Sequence, residues 1–247
     1  MSVLHRRIIL SLLLPIFYGV LAQTAHGAIL WKDDFNDELI HELTWDTKQT
    51  TGTPQLANNR CVLKTYVENK VTQCAIRTLP SRAIPPNFQL MCAVEFSNIE
   101  GGKGEFYIRV GKWLELVVSF EEKLPPQMKG TEKTGKVKQI YVRDAITNKY
   151  LIQTSGSPAW FSHKISSGER YYITWMSNGE TPSMHGIKIG TGPGESNIAD
   201  FIIESRETVA GKVEIGIRDG LKEVRLNYVR AYLFGTTTTL VNDWVLF

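Results

Sequence analysis

The chain reads as an all-β protein, a two-sheet antiparallel β-sandwich of jelly-roll type, and three observations predict it. Short apolar segments of strand length recur between turn residues from position 28 onward. They are rich in Val, Ile, Tyr, Phe and Thr, which suit a pleated, half-buried surface. Helical periodicity is scarce, and many short strands without helices bury their apolar faces by packing sheet on sheet.

The first predicted strands are Ala28 to Trp31, Cys61 to Tyr66, Val71 to Thr78, Gln89 to Phe96, Glu105 to Val110 and Leu114 to Phe120. Val137 to Val142, Tyr150 to Gln153, Tyr171 to Met176, Gly186 to Ile189, Phe201 to Glu204, Lys212 to Ile217, Val224 to Phe234 and Leu240 to Leu246 follow. Alternation is clearest in Lys212 to Arg218 and Val224 to Arg230, so each is expected to line a core with one face. Asp219-Gly220 between them is a hairpin signal, because glycine accepts the positive φ of a tight turn. Lys212 to Arg218 is therefore expected to pair with Glu223 to Leu233. The prolines of Thr78 to Asn87, and Leu124-Pro125-Pro126, mark crossings between strands or sheets.

Ahead of the first strand, Arg6 and Arg7 precede an apolar run, Ile8 to Ala22, broken only by Ser11, Pro15, Tyr18 and Gly19. That is the layout of a secretory signal peptide. Residues 1–27 are expected to be cleaved, after Gly27 in preference to Ala22, and 28–247 to form a single domain. A spanning helix needs roughly 20 apolar residues, and this run is shorter and holds a central proline. The expectation is a secreted protein, periplasmic if bacterial, with no membrane span after cleavage.

Two of the 28 basic residues lie in that leader, so 26 face 25 acidic residues in the remainder. Such balance excludes nucleic acid as a partner, which needs a concentrated basic surface. The cluster Lys129 to Lys138 is interleaved with Gly130, Thr131, Glu132 and Gly135 and reads as a solvated loop. Of the three cysteines, Cys61 and Cys74 flank a candidate hairpin turning near Glu68 to Lys70, and in an oxidising compartment they are the first choice for a disulfide. Cys92, inside the apolar run Leu90 to Val94, reads as a small buried hydrophobe.

The opening Ile29-Leu30-Trp31-Lys32-Asp33-Asp34-Phe35-Asn36-Asp37, with Trp45 after it, resembles the first strand of concanavalin A-like lectin and glucanase domains. The late strand Val224 to Tyr232 resembles their last one. The resemblance implies a sandwich fold that hosts lectins, glycosidases, polysaccharide lyases and adhesion modules. It also implies a structural calcium between first and last strands, with Asp33, Asp34, Asp37 and a distant Asn227 as oxygen ligands; the cluster lacks the Gly and terminal Glu of a dedicated calcium loop, which favours a solvated turn. The last third, Tyr171 to Trp175, Gly186 to Gly192 and Val213 to Ile217, resembles the β-rich domain labelled farnesoic acid O-methyltransferase. No strand-helix unit follows Gly190-Thr191-Gly192-Pro193-Gly194, so those glycines read as an exposed turn and not a cofactor loop.

Glycosidases of this sandwich resemble one another in a Glu-x-Asp-x-x-Glu strand, and no such spacing exists here. Glu115, Glu121 and Glu122 come nearest and read as a solvated strand end. A lyase-like sandwich implies Gln-x-His, and Gln139-Ile140-Tyr141 puts Tyr141 where the histidine belongs. His163 and His185 read as surface histidines, and no Gly-x-Ser-x-Gly elbow occurs. Trp160 stands out among six tryptophans, because Gly156 to His163 places Trp160 and Phe161 side by side in a loop-like segment. Trp160, Phe161, His163 and Tyr141 are therefore the candidate ligand-binding residues. The reading is a non-catalytic domain that binds carbohydrate or another extracellular ligand, such as a protein. A divergent polysaccharide hydrolase or lyase, and a structural protein-binding module, are the alternatives.

Overall fold

The computed structural model describes residues 28–36, 40, 44–46, 52–65, 72–97, 103–123, 137–163, 165–220 and 223–234. The leader, Asp37, the Glu68 to Lys70 turn and the Leu240 to Leu246 segment lie outside them. Sixteen strands are present among the described residues: β1 (Ile29–Asp33), β2 (Trp45–Asp46), β3 (Gln55–Leu56), β4 (Cys61–Lys64), β5 (Gln73–Thr78), β6 (Asn87–Ser97), β7 (Glu105–Val110) and β8 (Leu114–Lys123) in the first half. β9 (Val137–Asp144), β10 (Lys149–Tyr150), β11 (Trp160–Ser162), β12 (Arg170–Asn178), β13 (Ser183–Gly190), β14 (Ala199–Ser205), β15 (Val213–Arg218) and β16 (Glu223–Leu233) complete them. No helix among the described residues is long and apolar enough to cross a membrane.

The strands form two antiparallel sheets, the sandwich that the alternation predicts. The first runs β14-β13-β12-β6-β16-β4-β3, with β1 also on β16. The second runs β10-β9-β8-β7-β15-β5-β2, with β11 also on β9. Between them lies the core, where Phe96 meets Phe106 at 5.4 Å and Phe120 at 5.2 Å in edge-to-face contacts, the geometry that aromatic quadrupoles favour. Trp31, Trp45 and Trp175 are buried in it.

Two expected pairings are corrected. β15 and β16 are not a hairpin: β15 pairs with β5 and β7 in the second sheet, β16 with β6, β4 and β1 in the first. The Asp219-Gly220 turn exists, with φ of 61° and 106°, but it carries the chain across the core. Each strand presents an apolar face, and burying both against one another across the interior satisfies them as well as pairing side by side. A separate change of sheet parts Cys61 on β4 from Cys74 on β5, so they do not flank a hairpin, and both are free buried thiols. Burial pushes the Cys74 thiol up to about 11 and that of Cys92 to about 12, leaving both protonated at neutral pH. The proline-rich stretch after Thr78 is a crossing as expected, with a short 3-10 turn at Pro80–Arg82 between β5 and β6.

A bulge at Asn227 explains the late strand's pattern. Register shifts between Leu226 and Tyr228, so Val224 and Leu226, then Val229 and Ala231, all reach the core despite odd spacing.

His185 on β13 departs from the surface position expected of it: it is 1% exposed. Its ring packs edge-on to Trp175 at 6.5 Å, and neither ring nitrogen has a hydrogen-bond partner. Burial pulls its pKa down to about 4 from 6.5. The folded pKa lies below the unfolded one, so the unfolded chain takes the proton first and stability falls as pH drops from about 6.5 toward 4. Urea titrations at stepped pH are expected to show a loss of about 3 kcal/mol across that window. His185→Leu is expected to flatten it.

Candidate functional site

The outward face of the second sheet carries three rows of side chains, each crossing five strands. Gln73, Arg218, Glu105, Ser119 and Gln139 form the first, read from β5 through β15, β7 and β8 to β9. Ala75, Gly216, Tyr107, Val117 and Tyr141 form the second, and Trp160 of β11 extends it. The third is a charge ladder, Arg77, Glu214, Arg109, Glu115 and Arg143, ending on Tyr150 of β10. Period-two alternation puts these residues outside while their neighbours Phe106, Ile108, Leu116, Val118, Ile140 and Ile215 fill the core.

The rows form two layers. Tyr107 and Tyr141 lie on the floor, and guanidiniums cover them: Arg218 sits 4.4 Å and Arg109 5.4 Å from the Tyr107 ring centroid, and Arg143 5.8 Å from that of Tyr141. Room for the Tyr107 ring comes from Gly216, where an added Cβ would meet Tyr107 Oη at 2.6 Å and Ala75 Cβ at 2.7 Å. Tyr107 donates to Glu214 at 2.8 Å and accepts from Gln73 at 2.6 Å. Tyr141 donates to Glu105 at 2.8 Å.

Glu115 is the hub. Its side chain is wholly buried and takes hydrogen bonds from Arg109, Arg143 and Arg218, at 2.7–3.2 Å. Arg218 Nη2 also donates to Glu105 at 2.9 Å, and Arg77 pairs with Glu214. Burial works to raise the Glu115 pKa, but Arg218 first, then Arg143 and Arg109, outweigh it and hold the group at about 2. Glu105 is likewise held below its ordinary value: burial raises it, and Arg218, Tyr141 and Arg143 overcome that. Burial raises the Tyr107 phenol pKa, and so does Glu214. The face therefore holds fixed anions, fixed cations and protonated phenols at neutral pH.

The expected site residues divide. Trp160 and Tyr141 are cross-strand partners on this face, and Tyr150 packs on Tyr141 at 4.8 Å. Their segment is a strand and not a loop, so Phe161 turns the other way and packs on Phe201 at 5.0 Å. His163 lies against Phe120, with Nε2 2.9 Å from the Ser119 carbonyl oxygen. Asp33 and Asp34 diverge: Asp33 accepts from Trp45 Nε1 at 2.7 Å and from the Phe35 amide, while Asp34 pairs with Arg230. With its amide oxygen turned toward them, Asn227 accepts from Arg170 and Arg60 at 3.2 Å. Among the described residues no group of three His, Cys, Asp or Glu gathers to hold a metal. Glu115, expected on a solvated strand end, is instead the most deeply committed carboxylate on the face. Glu105, Tyr107, Arg109, Arg143, Glu214 and Arg218 escaped the sequence reading. For all but Arg143, which is on β9, the signal is charge at both ends and an aromatic or glycine between, at alternate positions of β7 and β15.

No family model matches the chain, and no curated protein matches its sequence. Solved structures do match in fold. An endo-β-galactosidase from Clostridium perfringens that releases GlcNAcα1-4Gal superposes with a TM-score of 0.56 at 14% identity, over 85% of this chain and 63% of that one. A family 16 glycosyl hydrolase from Mycobacterium smegmatis gives 0.53 at 8% identity, over 83% and 100%. Porphyranase B from Zobellia galactanivorans gives 0.51 at 10%, over 83% and 91%. The fold is thus the concanavalin A-like jelly roll that the sequence resembled.

Two substitutions test this geometry. Gly216→Ala displaces the Tyr107 ring and is expected to cost about 1–3 kcal/mol in chemical denaturation. Glu115→Gln leaves three guanidiniums without their shared anion and is expected to cost about 3–5 kcal/mol; a variant as stable as the parent refutes the hub.

Proposed function

We propose that the mature chain is an exported, non-catalytic sandwich module that binds carbohydrate on the outward face of the second sheet. The commitment of the carboxylates carries this reading. Hydrolysis of a glycosidic bond by a carboxyl pair needs one group protonated, as the acid, beside one ionised. Glu105, Glu115 and Glu214 each accept hydrogen bonds from an arginine, and Glu105 and Glu115 are pulled toward the ionised form. Support for carbohydrate comes from the fold, whose matches include enzymes named for glycans, and from Trp160 and Tyr150, half-buried aromatics at the edge of the face. Aromatic rings with an apolar body and a polar tip suit contact with sugars.

One observation favours a second reading, a polysaccharide hydrolase. Glu105 and Glu115 take hydrogen bonds from the same nitrogen of Arg218, so two carboxylates stand near one another over Tyr107. A thermal-shift screen against polysaccharides, run beside a reducing-end assay on the same samples, separates the two. The expected outcome is a raised melting temperature with at least one glycan and no new reducing ends. Reducing ends that appear with the parent and vanish in Glu105→Gln establish the hydrolase. No shift with any glycan favours the protein-binding module.

A further inference from the structure

We infer that the ligand of this face is an anionic glycan, a polymer bearing carboxylates or sulfate esters, and that Arg109 is its central anchor. This deepens the glycan-binding reading and rests on it. Formal charge does not decide the matter, because Arg77, Arg109, Arg143 and Arg218 share the face with Glu105, Glu115, Glu214 and, opposite Arg77, Asp46. Depth decides it. The side chains of Glu115, Glu214 and Glu105 are 0%, 6% and 8% exposed, whereas Arg77, Arg109, Arg143 and Arg218 are 31%, 25%, 16% and 15% exposed. The glutamates form the lower layer and the guanidiniums the upper one; exposed acid lies at the margin, where Asp219 stands 3.8 Å from Arg218 and Asp46 faces Arg77.

Arg109 differs from its neighbours on the ladder. Arg143 and Arg218 spend all three guanidinium nitrogens on Glu115, Glu105 and Asn148. Arg109 binds Glu115 through Nε and Nη2 only, and its Nη1 stands 3.7 Å from the nearest Glu214 oxygen, beyond hydrogen-bond reach. A guanidinium edge with open donors, held rigid by its other edge, suits carboxylate and sulfate oxygens, with little ordering left to do on binding. Geometry adds a direction. Arg77, Arg109 and Arg143 occupy alternate strands of one row, hence stand about 10 Å apart, so a chain with repeated anionic groups lies across the strands toward Tyr150.

Calorimetric titration of the mature protein with polygalacturonate, carrageenan and neutral laminarin of matched length tests this. Polygalacturonate supplies carboxylates and carrageenan sulfate esters. Tight binding of either supports the inference and says which group is taken. Laminarin is expected to bind at least about ten-fold more weakly, and affinity for the anionic polymer is expected to fall between 50 and 500 mM salt. Arg109→Gln is expected to weaken anionic binding by about ten-fold or more, because a charge-assisted bond is lost, while Arg206→Gln on the exposed turn after β14 leaves it unchanged. Circular dichroism checks that Arg109→Gln folds; if it does not, Arg77→Gln takes its place. Laminarin binding as tightly as the anionic polymers, or wild-type affinity in the arginine variant, overturns the inference and leaves the glycan-binding reading standing. No binding of any of the three overturns both.

Discussion

A carboxylate taken fully out of water must be surrounded by cations, and Glu115 makes that demand in the middle of the second sheet. An unpaired charge at such a site costs several kcal/mol. Three arginines from three other strands answer it, and their positions then dictate the rest of the face. Arg218 reaches Glu115 across Tyr107, so the tyrosine is pressed flat, and Gly216 is the residue that lets it lie there. Because Arg218 also holds Glu105, and Tyr141 donates to Glu105, the first and third rows are tied into one network through the second.

That network exists because the chain crosses repeatedly between the sheets. Residues 73–77 and 214–218 become neighbours in the second sheet only because each strand's successor, β6 and β16, is sent to the first. Had Asp219-Gly220 closed a local hairpin, β15 would not stand between β5 and β7, and Arg218 would be remote from Glu105 and Glu115. The turn that the sequence marks correctly thus has its consequence set by which core face its two strands seek.

The same network bears on chemistry. Solved structures with this fold include glycan-degrading enzymes, but a shared fold does not confer a shared reaction; the groups on the face do that. Here β7 carries Glu, Tyr and Arg on alternate outward positions, and every carboxylate of the three rows has an arginine partner. Charge and donors on this face are thus held in place by the pairing of its strands, with Glu105 and Glu115 pulled toward the ionised form by the arginines beside them.

The sequence alone determined the all-β class, most strand positions and the sandwich, because period-two alternation is a local property that survives in any pairing. It also singled out Trp160 and Tyr141, which tertiary structure brings together on β11 and β9. Pairing, register and burial were beyond it. Cys61 with Cys74 and β15 with β16 are near in sequence, yet each pair spans the core; His185 and Glu115 look solvated in isolation and are buried. Asp33 and Asp34 are neighbours at the end of β1 that the fold turns apart, and Asn227, in the bulge of β16, faces Arg170 and Arg60 instead. The physical reason is common to all of these. Alternation says that a side chain leaves one face of a strand, whereas the charge ladder depends on which strands lie beside it, and only the packing of two sheets against one core decides that.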